Sequence, residues 1–208
     1  MIETPLIIDN SEQKLACRIG VVGVVILVIY SIVYTVIRVL LWDSSELVII
    51  ISRISYYTFP FTFTAGIFVV VGFVGVFALN GKGPIGLIFV VTYFTTYYLS
   101  FYIPYYFPFD VLIAYNLYSP FFIGIIYGFT LLTIRERVQN RNLFLALVFL
   151  YLAGHAIASI VFYLIFGSIS ITVTSQLDTI LASLPSLTLS VVRFILLILF
   201  FISESLRD

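Results

Sequence analysis

The chain has 208 residues, 62% of them hydrophobic and only 10% charged, with ten Lys and Arg balancing ten Asp and Glu. A soluble domain carries about 25% charged residues, so a fold of this size with a mean hydropathy of +1.19 takes lipid as its solvent. Balanced charge offers no basic field for nucleic acid, and a single cysteine (Cys17) with a single histidine (His155) supplies no disulfide and no ordinary zinc or haem ligand set.

Residues 1–18, "MIETPLIIDNSEQKLACR", are polar and mixed in charge and read as a cytoplasmic N-terminal segment. The apolar run over about 19–42 is too long for a signal-peptide core and lacks a small-residue cleavage site. It is the first expected span. "DSSE" (Asp43 to Glu46) has the form of a helix start. The short helix after it, "LVIIISRISYY", carries Arg53 and is expected to lie along the membrane interface until Pro60 ends it.

The second span is expected over about 60–79, closed by a tight turn at "NGKGP", and the third over about 85–107. Asp110 would cap the fourth, about 111–133, and the basic loop "RERVQNR" leads to the fifth, about 142–166. In "SQLDTILASL", Leu177, Ile180, Leu181 and Leu184 form one apolar stripe at helical spacing, which predicts a second short interfacial helix. Pro185 would separate it from the sixth span, about 186–204. The fold class is therefore all-α: one polytopic membrane domain over 1–208, with six transmembrane helices and two short interfacial ones.

Charge tests this layout. With six spans, Lys14, Arg18, Lys82, Arg135, Arg137, Arg141 and Arg207 fall on one side, and only Arg38 and Arg53 on the other. Basic residues concentrate on the cytoplasmic side, so both termini are expected there, in a cell membrane. Tyr and Phe in "YYLSFYIPYYFPF" (97–109), with Trp42, Tyr56, Tyr57, Tyr115 and Tyr118, would form an aromatic belt at the outer boundary.

The tenth basic residue is Arg193, inside the last span and about ten residues from its cytoplasmic end. At 1.5 Å per residue that is roughly 15 Å, near the middle of a core about 30 Å thick. A charge at that depth costs from about 2.5 to more than about 10 kcal/mol, and no Asp or Glu is expected at its level. His155 lies at a similar depth in the fifth span, where Tyr151, Ser159 and Tyr163 share its helical face. Thr96 belongs to a comparable polar face of the third span, and Asn116 precedes Pro120 in the fourth. Such faces turn inward, away from lipid. The candidate ligand-binding set is thus Arg193, His155, Tyr151, Ser159, Thr96 and Asn116. Glycines at Gly124–Gly128, Gly154, Gly66, Gly72 and Gly75 are read as close-packing positions.

Several chemistries lack their residues. No H-E-x-x-H, no pair of intramembrane aspartates and no glycine-rich phosphate cradle is present. The expectation is a non-enzymatic protein with no catalytic or metal-ligating residues and no cofactor, binding or passing a small polar or anionic solute within its bundle. Two alternatives stand beside it: an accessory subunit whose Arg193 meets a carboxylate of a partner subunit, and an intramembrane enzyme using His155 as base. The expected partners are the lipid bilayer, the solute, and either a partner subunit or further copies in a homo-oligomer.

Overall fold

A computed structural model describes residues 10–40, 47–106, 109–166 and 176–206. They form six α-helices: α1 (Asn10–Leu40), α2 (Leu47–Leu79), α3 (Gly83–Tyr106), α4 (Phe109–Leu132), α5 (Arg141–Phe166) and α6 (Gln176–Ser205). The all-α expectation holds, with no strand among the described residues.

The helix ends are set by local chemistry. At the end of α2, Lys82 N–H donates to the Phe77 carbonyl at 2.8 Å and Gly81 N–H to that of Ala78 at 2.9 Å. Gly81 has a φ of 67°, a left-handed conformation that a side chain resists. This Schellman termination realises the tight turn expected at "NGKGP". At the start of α5, the Asn140 side chain accepts the Leu143 N–H at 3.1 Å, an N-cap that satisfies one of the helix's orphan donors.

Each helix packs on its chain neighbours, and α6 closes on α1, so the six form a ring in chain order. Contacts at one end fix their alternating directions. Arg137, in the α4–α5 loop, donates to the Asn80 carbonyl at the end of α2 at 2.8 Å. Glu204 Oε1, at the end of α6, accepts the Gln139 N–H of the same loop at 2.9 Å. Gly75 in α2 lies against Ala16 and Gln13 in the first turns of α1. The start of α1, the α2–α3 turn, the α4–α5 loop and the end of α6 thus share one end, here called the basic end.

Three sequence expectations are corrected. Residues 10–18 are not a separate polar segment but the first turns of α1, with Cys17 fully buried. Small residues at 16, 17 and 20 let that turn approach α2, where a Cβ added to Gly20 would stand 2.8 Å from the Gly72 Cα. The two short interfacial helices are not separate elements, because α2 runs through Pro60 and α6 through Pro185 without interruption. Proline removes one backbone hydrogen bond and bends a helix, yet apolar surroundings favour keeping the other backbone groups paired within it. Finally, α4 begins at Phe109, which puts Asp110 in its first turn rather than at its cap. The "DSSE" start signal and Trp42 lie outside the described residues.

Three stretches are apolar over a membrane-crossing length: Ser11–Ile37, Tyr56–Leu79 and Leu187–Ser205. Shorter apolar stretches occupy α3 (Gly83–Leu99), α4 (Tyr118–Leu132) and α5 (Arg141–Gly154), each stopping where the described side chains stop.

Candidate functional site: a central cavity with one cation

Three layers stack along the ring axis. At the basic end lies a polar layer in which Glu204 is completely buried and Asn80 nearly so. Asn80 Nδ2 also donates to the Val76 carbonyl at 2.8 Å. Above it sits an aromatic plug. Phe73 and Phe89 stack at 4.2 Å between centroids, Phe201 meets Phe73 edge-on at 5.2 Å, and Tyr127 covers Phe89 at 4.5 Å. Phe77, Phe144 and Phe200 complete the plug, all buried. Offset and edge-on ring pairs of this kind add about 0.5–1.5 kcal/mol each beyond the area they bury.

Above the plug the packing opens into a cavity of about 490 Å³ to which all six helices contribute. Leu27 lines it from α1, Val69 and Val70 from α2, Tyr93 and Thr96 from α3, Ile123 and Tyr127 from α4, Tyr151 from α5, and Arg193 with Leu197 from α6. Gly66 and Gly124 also border the space. Gly66 leaves room for the Tyr93 ring, whose hydroxyl donates across to the Phe63 carbonyl at 3.0 Å. Pro120 borders it too, and it lacks the N–H that would otherwise bond the carbonyl one turn earlier.

Arg193 carries the cavity's charge. Its guanidinium carbon lies 5.6 Å from the Tyr151 ring centre and 5.7 Å from that of Phe194, within cation–π range. Among the described residues no carboxylate reaches it, and the single ion pair found joins Arg135 to Glu136 at 3.5 Å on the exposed basic loop. Tyr127 and Tyr151 line the same cavity as Arg193. The two rings meet edge-on at 5.7 Å.

Of the six sequence-predicted site residues, Arg193, Tyr151 and Thr96 line this one cavity. Ser159 lies two turns beyond Tyr151 on α5, is exposed and is not part of the lining. The side chains of His155 and Asn116 lie outside the described residues. Sequence reasoning missed Tyr127, Ser119 and the ring platform of Phe194. Tyr127 was legible as the one polar residue between the glycines of "GIIYG". It also missed Glu204, which sits at the very end of an apolar run and reads there as an ordinary boundary charge.

Comparison with family models, with curated proteins and with solved structures finds no match to this chain. The residues themselves therefore carry the functional reading.

Proposed function

We propose that the chain is a six-span protein of the cell membrane, with both termini cytoplasmic, which binds or passes a small anionic solute through its central cavity. The observation that carries this reading is Arg193: a cation near mid-bundle that lines a cavity of about 490 Å³ and has no carboxylate partner among the described residues. A desolvated charge is retained in a membrane interior where it does something, and an anion entering the cavity would both neutralise and use it. Six alternating helices bring six described basic residues, Lys14, Arg18, Lys82, Arg135, Arg137 and Arg141, to one end, which supports cytoplasmic termini. The apolar stretches of α3, α4 and α5 support three further spans beside the three of full length.

The accessory-subunit reading fits less well. A partner's carboxylate would have to reach into a cavity lined by all six helices to meet Arg193. No observation among the described residues favours an enzymatic reading, and the side chain of His155 on which it rests lies outside them. Reporter fusions after residues 82, 110, 138 and 172 test the topology: cytoplasmic signals at 82 and 138, and external ones at 110 and 172, are expected. Anion uptake into proteoliposomes tests the function. Flux that is unchanged in Arg193→Leu removes the anchor role.

A further inference from the structure

We infer that the cavity's ligand is an amphiphilic monoanion, a single carboxylate held by Arg193 and attached to an apolar or aromatic body that fills the remaining space. This rests on the reading of the cavity as an anion site and goes on to name the ligand's class.

Charge comes first. One guanidinium is the only Lys, Arg or acidic side chain among the described cavity-lining residues. A ligand with one negative charge leaves the occupied cavity neutral, while a dianion would leave a net charge in a poorly solvated space, which is strongly disfavoured. The donor geometry points the same way. A guanidinium lying over a ring keeps its in-plane N–H fork, and that fork matches the two oxygens of a carboxylate. The Tyr127 and Tyr151 hydroxyls add neutral donors nearby and bring no second cation.

Shape and wall chemistry then decide the body. A volume of about 490 Å³ falls within the range of sites for organic ligands and far exceeds what a bare inorganic ion occupies. Val69, Val70, Ile123 and Leu197 line it together with the Phe73 and Tyr127 rings. A hydrophilic ion would leave those walls without partners for its remaining hydration shell. An apolar body instead gains in proportion to the area it removes from water.

The test is equilibrium binding of radiolabelled benzoate to the full chain in lipid nanodiscs, with acetate, sulfate and oleate as competitors. The expected result is saturable binding, with benzoate at least tenfold tighter than acetate, about 1.4 kcal/mol, and with sulfate unable to compete. Arg193→Leu is expected to lose at least tenfold in affinity. Arg193→Lys keeps the charge without the fork and should fall between; it also guards against a leucine variant that fails to fold. Acetate or sulfate competing as well as benzoate would overturn the amphiphile and leave the anion site standing. Benzoate uptake undiminished in both Arg193 variants would mean partition into apolar walls and would overturn the anion site itself. Oleate separates the sources of the shared chemistry: displacement of benzoate by oleate identifies a membrane-resident acid, and its failure identifies a water-soluble one.

Discussion

The two halves of the bundle are built to different standards. In the half at the basic end, phenylalanines from α2, α3, α5 and α6 interlock with almost no exposed surface. There the loops are tied to helix ends through Arg137–Asn80 and Glu204–Gln139. The far half holds the cavity, and in it α2, α4 and α6 each carry an internal proline, at 60, 120 and 185. Tyr56, Tyr57 and Tyr106 stand 77%, 71% and 74% exposed at its outer end, as a belt of amphipathic rings would. Each proline removes a backbone hydrogen bond, so bending is easier where the cavity lies. The difference teaches that the cavity is the product of withheld packing above a firm base. Motion that admits a ligand should therefore be sought among the far-half segments of α2, α4 and α6.

Mutations in the firm half should break that contrast most. Phe73 touches Phe89, Tyr127 and Phe201 together, so Phe73→Ala removes the centre of the plug. A loss of about 3–5 kcal/mol is expected, read by equilibrium unfolding in mixed micelles. Phe122→Ala is the control, because Phe122 is 60% exposed and should change stability by less than about 0.5 kcal/mol. Equal losses at both positions would erase the distinction between the halves.

A smaller effect is expected at Gly72. A Cβ there would stand 2.7 Å from the Gly20 Cα and 2.8 Å from the Phe201 ring. Since the first of these is backbone, α1 and α2 must separate, and Gly72→Ala should cost about 1–3 kcal/mol. At Gly83 the nearest atom to an added Cβ is 3.8 Å away, and Gly83→Ala should be neutral or slightly stabilising. Glu204 gives a third comparison. Glu204→Ala strips the acceptor from the Gln139 N–H, at a cost of about 1–3 kcal/mol. Glu204→Gln keeps a carbonyl at the same place and should recover much of that loss. If Gln behaves as Ala does, the carboxylate's charge rather than its hydrogen bond holds the loop to α6.

The unequal halves were also unequally legible. Periodicity and charge placed all six helices, because lipid forces backbone groups to pair within each segment and polar turns to lie outside it. They failed at Pro60 and Pro185, where a local rule, that proline ends helices, lost to that same need for continuous pairing. They failed at residues 10–18 because Gln13 and Cys17 are polar by type but buried by the small residues around them. Arg193 was conspicuous as a lone charge in an apolar run, Tyr151 followed from its i+4 spacing to His155 on α5, and Thr96 from the polar face of α3. Glu204 was not conspicuous, since what makes it notable is a neighbour far along the chain: Gln139, 65 positions away. No window along one chain reports that proximity.

Arg193→Leu should cost no stability, and that is what makes it informative. Replacing it with leucine forfeits cation–π contacts worth about 0.5–2 kcal/mol. The same change relieves a desolvation cost of about 2.5 kcal/mol or more. The opposing terms leave Arg193→Leu more stable than the parent by about 0.5–2 kcal/mol or more, in the same unfolding measurement. A structural arginine would behave otherwise, because removing one partner of a satisfied buried network exposes the rest and destabilises by about 3–5 kcal/mol. A large loss on Arg193→Leu would thus mean that the guanidinium holds the bundle together, and the cavity would become a packing defect beside a structural charge. Undiminished stability with loss of anion response would separate the two halves by purpose as well as by packing.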